Sequence, residues 1–219
     1  MERPDQPRDD KELWQDFVLK GREESLHLLV QRHKLGLFNA AYRILYDTHA
    51  AEDIVQRVFV ALIERKNELA DVESLQCWLY RATFNQALNM KKLRRRTRDR
   101  ERAGQTPSTP EMPRETAARA ELREELDRAL AKLKHSLRIP IILRYLQGMS
   151  HTETGEVLGL SSDATRKRIS RALKRLRKLL SGRGFLRSLG AVEEGLRAVP
   201  ARAASANFLT STSSLLSAA

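Results

Sequence analysis

Arg81, Asn85, Asn89 and Lys92 recur at near-helical spacing, which on a helix draws one polar line of side chains. Guanidinium, ammonium and carboxamide groups in such a line can bond the phosphate oxygens of a polyanion. A second set, Asp163, Arg166, Lys167, Ser170 and Lys174, shares one face of a helical pattern and includes the residue types that bond guanine edges and phosphates. Catalytic chemistry has no comparable support. His27, His33, His49, His135 and His151 show no metal-ligand spacing, no Ser/His/Asp set is suggested, and no glycine loop is built for phosphate. No metal, no cofactor and no enzymatic activity are expected. The single cysteine, Cys77, excludes a disulfide framework and a Cys-based zinc finger.

Charge says where such side chains would act. The 219-residue chain carries a net charge of +12, from 40 Lys+Arg against 28 Asp+Glu, which predicts a polyanionic partner, nucleic acid first. The excess is segregated. Residues 1–90 hold 12 basic and 15 acidic side chains, whereas 91–102 hold 8 against 2 and 161–187 hold 10 against 1. Two basic blocks on an otherwise balanced chain suggest two contact points on one long polyanion. No apolar run reaches the ~20 residues a membrane span needs, and the first residues lack a signal-peptide core, so a cytoplasmic location is expected.

The elements that must position these groups read as helices throughout, with no convincing strand. From a cap at Asp47 or Thr48, with Glu52 and Asp53 placed in the first turn, Ile54, Val55, Val58, Phe59, Leu62 and Ile63 form one buried stripe. Leu75, Trp78, Leu79 and Ala82 make the stripe of the next helix, with Trp78 assigned to the core, and Tyr80, Phe84 and Leu88 a second line. Leu26 to Ile44 supply one or two helices more. Residues 103–115, with three prolines, read as linker. Helical pattern resumes at Leu122 to Leu133 and at Ile141 to Leu146, where Pro140 is expected in a first turn. Gly148 ends that helix. Ser150 and Glu153 form a capping box, a short helix runs to Leu158, Gly159 turns the chain, and a long helix starts near Ser162 with the stripe Thr165, Ile169, Ala172, Leu173, Leu176 and Leu180. Short helix, glycine turn and basic helix is the helix-turn-helix plan, whose second helix enters the major groove.

These residues carry a family resemblance. AEDIVQRVFVAL (51–62), WLYRATFN (78–85) with the basic run after it, and LRYLQGMSHTETGEVLGLSSDATRKRISRALKRLR (143–177) resemble regions 2.2, 2.3 with 2.4, and 4.2 of the sigma-70 family of bacterial RNA polymerase initiation factors. The order and the intervening linker are similar to the extracytoplasmic-function, or group 4, type, over roughly residues 12–182. The resemblance implies an all-α fold of two small helical domains joined by a flexible linker. Its boundaries would be a tail 1–11, region 2 at 12–97, a linker 98–116, region 4 at 117–182 and a weakly structured extension 183–219.

What the resemblance implies for function is a specificity subunit that binds core RNA polymerase and directs promoter-specific initiation. Asp53, Gln56, Arg57 and Val60 would face the polymerase. Val60 among polar neighbours supports an interface there, while Arg57 stands where the family usually has an acid. Leu69, in the loop from Glu68 to Ser74, would receive the non-template strand of the minus-ten element with Arg81, Asn85, Asn89, Lys92, Arg94 and Arg95. Asn85 falls at the family's Asn after WLYR. Asp163, Arg166, Lys167, Arg168, Ser170 and Arg171 would read the minus-thirty-five duplex. Thr154 and Thr165 replace the family's usual Ile and Val, which predicts a slightly softer region 4. An anti-sigma protein is a further candidate partner. The alternative is a stand-alone helix-turn-helix regulator, whose N-terminal half would sense a ligand or dimerise.

Overall fold

In a computed structural model the described residues are 8–100, 117–181, 188–199 and 201–210. They form ten helices and, among the described residues, no strand: α1 (Asp10–Lys20), α2 (Glu23–Leu45), α3 (Thr48–Glu64), α4 (Leu75–Arg100), α5 (Ala117–Ala131), α6 (His135–Ile141), α7 (His151–Leu158), α8 (Ser162–Ser181), α9 (Leu189–Arg197) and α10 (Ala206–Thr210). The chain divides into two compact units, residues 1–87 with 201–219, and residues 88–200. The division falls at Ala87/Leu88, within α4, ten residues before the expected edge of the first domain. Most of the linker expected at 98–116 lies outside the described residues.

In the first unit α1 packs on α2 and α2 on α3. Asp9 and Glu12 close a capping box at the head of α1, and Leu13, Trp14 and Phe17 supply its buried face. Asp10 ties α1 to α2, lying 2.7 Å from His33 Nε2 and 2.5 Å from Arg32 Nη1. Burial would raise the Asp10 carboxyl, but the hydrogen bond and charge of His33, then those of Arg32, outweigh it and hold the group below its ordinary value. The residues from Leu26 to Ile44 form one continuous helix. Asp47 caps α3 as expected, accepting from the Ala50 N–H at 3.0 Å. Because α3 starts at Thr48, however, Glu52 and Asp53 stand in its second turn, past the reach of its orphan donors. The expected stripe from Ile54 to Ile63 is buried.

In the second unit α8 is the hub, packed by α5, α6, α7 and α9. Its six expected stripe residues are all buried. Pro140 sits in the second turn of α6, not the first, because that helix begins five residues earlier, at His135. A π-helical turn, Ile142–Leu146, follows at once, with Gln147 N–H donating to Ile142 O at 3.0 Å. A buried charge holds this end together. Arg138 is 2% exposed, and its guanidinium donates to the carbonyls of Leu130 (2.6 Å), Leu133 (3.0 Å) and Ala131, capping the C-terminus of α5 from another helix. The extension beyond 183, expected to be weakly structured, contains α9. Ser188 caps it and Val192 and Leu196 are fully buried in the α5/α8 core, so its few apolar residues at helical spacing suffice.

Candidate nucleic-acid interface

The helix-turn-helix is built from the turn outward. Ser150 Oγ accepts from Glu153 N–H at 3.1 Å while the Glu153 carboxylate accepts from Ser150 N–H at 2.7 Å. Gly159 ends α7 at φ +64°, the left-handed region that spares a glycine the Cβ clash. The turn then folds back on α7: a Cβ at Gly155 would meet Leu160 O at 2.5 Å and Thr165 Oγ1 at 3.0 Å. Thr165 Oγ1 donates to Ser161 O at 2.9 Å, so this departure from an aliphatic residue is satisfied. Thr154 is fully buried and its hydroxyl has no partner.

This frame aims the outer face of α8 at solvent. Asp163, Arg166, Lys167, Ser170 and Arg171 are exposed and Arg168 is half-buried. Asp163 pairs with Arg166 at 3.3 Å, a surface contact that orients the guanidinium more than it stabilises the helix. Burial, then the charges of Arg144 and Arg166, hold His151, at the head of α7, below its ordinary value. Cations on one helix face, free to enter a major groove, can bond phosphates and guanine edges.

The second polar line lies on α4. Ser74 Oγ accepts from Cys77 N–H at 3.2 Å and starts the helix, and Leu75, Leu79, Thr83 and Ala87 form its buried face. Arg81, Asn85, Asn89, Lys92 and Arg94 are exposed, as the spacing requires, whereas the Arg95 side chain lies outside the described residues. Two expectations change here. Trp78 is half-buried, flanking the core, and the core tryptophan is Trp14. Leu69 is buried, and its carbonyl accepts from Trp14 Nε1 at 2.8 Å. It therefore anchors the loop before α4 and presents no side chain to a strand. The hydrophobic pattern of the loop alone could not reveal this, because its partner is supplied by α1.

On α3, Asp53 and Arg57 are exposed and Gln56 and Val60 half-buried, an accessible mixed face. Glu52, on the same side, is 9% exposed and accepts from the Ser205 N–H at 2.8 Å, a contact between residues 153 apart that no local pattern signals.

Comparison with known proteins decides what this arrangement is. Residues 29–99 match the family model described as Sigma-70 region 2 and residues 123–176 match Sigma-70, region 4. The chain is 31% identical over 167 residues to the RNA polymerase sigma factor NccH of Alcaligenes xylosoxydans xylosoxydans, covering 74% of this chain and 89% of that protein. The chain belongs to the sigma-70 family. Its similarity to the ECF RNA polymerase sigma factor SigE of Mycolicibacterium smegmatis, 30% identical over 158 residues, spans 70% of this chain and 60% of that protein. The structure of CnrH in complex with the cytosolic domain of CnrY aligns with a TM-score of 0.62 at 27% identity, covering 80% of this chain and all of that one. The SigE match, together with 27% identity over 175 residues to the ECF RNA polymerase sigma factor SigW of Bacillus subtilis, points to the extracytoplasmic-function subfamily. The matched models put the α4 line inside region 2 and the outer face of α8 inside region 4. A stand-alone regulator would have no use for region 2, so that alternative falls.

Proposed function

We propose that this sigma factor docks on core RNA polymerase through the α3 face of Asp53, Gln56, Arg57 and Val60, captures the minus-ten non-template strand along α4 and reads the minus-thirty-five duplex through α8. Promoter-directed transcription initiation is what its two matched regions serve; bond formation is left to the polymerase, and the site of action is the cytoplasm. One observation carries the assignment of faces: the cation-rich exposed side of α8 is built for a duplex, while Arg81, Asn85, Asn89 and Lys92 offer carboxamides as well as cations, as unstacked bases require. Among the described residues no helix is long and apolar enough to cross a membrane. A cytosolic anti-sigma domain is a further partner, supported by the solved relative having been captured with one cytosolic partner domain.

The test is co-elution of the full chain with bacterial core polymerase on gel filtration, followed by run-off transcription from the promoter of its own operon. Asp53→Arg and Gln56→Ala are expected to weaken co-elution. Asn85→Ala is expected to leave co-elution intact and lower promoter opening, read by permanganate reactivity of unpaired thymines. Co-elution failing for the unsubstituted chain overturns the reading.

A further inference from the structure

Residues 201–208 belong to the first unit although α5 to α9 separate them from it in the chain. They are held there by four residue pairs. The Asn39 carboxamide brackets the Arg202 backbone, its Oδ1 accepting from Arg202 N–H at 2.6 Å and its Nδ2 donating to Arg202 O at 3.2 Å. The Arg202 guanidinium lies 4.3 Å from the centroid of the Tyr42 ring. Glu52 accepts from Ser205 N–H at 2.8 Å. Phe208 is buried with its ring 5.8 Å from that of Phe38. Asn39, 2% exposed, and Glu52, 9% exposed, are buried polar groups, each bonded to the main chain of this segment.

We infer that Phe38, Asn39, Tyr42 and Glu52 form a peptide-docking site on region 2, that its occupant in the free protein is residues 202–208 of the same chain, and that this occupant competes with core polymerase. The competition follows from register and rests on the docking face proposed above. Glu52 and Gln56 are four residues apart on α3 and so share one face, with Asp53 beside them. A segment whose backbone is bonded to Glu52 stands one helical turn from Gln56. A polymerase surface that covers Gln56 and Asp53 meets the segment at the head of the same face. The main-chain contacts to Asn39 and Glu52 fix the segment in place, and the Arg202 and Phe208 side chains specify it.

Two readouts on the full chain test this. Amide exchange by NMR is expected to show protection at Arg202 and Ser205, lost in the double variant Arg202→Ala/Phe208→Ala and, at Arg202, weakened in Ser205→Pro, which removes the donor to Glu52. Both variants touch only the segment, and an unchanged melting temperature of region 4 confirms that the rest of the fold persists. If the docked state is populated about nine parts in ten, its release raises apparent affinity for core polymerase about tenfold. Fast exchange at Arg202 and Ser205 in the unsubstituted chain overturns the docking. Lost protection with unchanged polymerase affinity overturns the competition. If the unsubstituted chain and both variants fail to bind polymerase, the proposed function and the competition fall together, while the exchange data still decide whether the segment docks.

Discussion

Thr154 sits fully buried in α7 with a hydroxyl that bonds nothing, whereas Thr165 in α8 returns its hydroxyl to Ser161 O. The two residues look alike in sequence and differ in energy. A buried hydroxyl without a partner costs about 1–3 kcal/mol, so the isosteric Thr154→Val is expected to stabilise region 4 by about 1 kcal/mol, read as a raised urea midpoint at unchanged slope. Thr165→Val removes a satisfied bond and is expected to be neutral or destabilising. Arg81, Asn85 and Asn89 were legible as an exposed line because helical periodicity alone sets exposure on a regular element. Leu69 and Trp78 were not. The loop leucine is buried, and its carbonyl is held by Trp14, 55 residues away, information that no local pattern carries.

Elements with one dominant stripe were legible to the residue. In α8 the buried and exposed faces match the expected pattern because its stripe alternates cleanly with cations, and Leu176→Ala is expected to cost about 2–5 kcal/mol and to remove minus-thirty-five binding with it. Around α6 the sequence misled, since a proline at position 140 suggests a helix start and the protein instead follows it with a π-helical turn. The compensation at this end is Arg138, which satisfies three carbonyls at the end of α5. Arg138→Leu would orphan them, at about 3 kcal/mol or more. Beside it, burial, then the charges of Arg138 and Lys91, push His135 down to about 4, and its Nδ1 is buried without a partner. Between 6.5 and about 4 the unfolded chain takes up a proton that the folded one refuses, so stability is present above 6.5 and lost as pH falls through that window. His135→Gln is expected to flatten this part of the pH–stability profile, measured by chemical denaturation between those limits.

Across the whole molecule the charge is uneven, and this sets how the two regions respond to salt. The net +12 resides in the basic blocks at 91–102 and 161–187, while residues 1–90 are slightly acidic. Counterion release from DNA is therefore expected at α8 and the far end of α4, and the polymerase docking proposed for α3 is expected to owe it little. Duplex binding by holoenzyme at the minus-thirty-five element is expected to fall steeply as salt rises from about 50 to 200 mM, with the log–log slope reduced by about one for each cation removed in Arg166→Ala and Lys167→Ala. Co-elution with core polymerase should change far less over the same range. If both slopes were equally steep, the acidic first unit would have to meet a strongly basic polymerase surface. The Asp53→Arg variant would then lose most of its salt dependence along with its affinity, a signature that the α8 variants would not share.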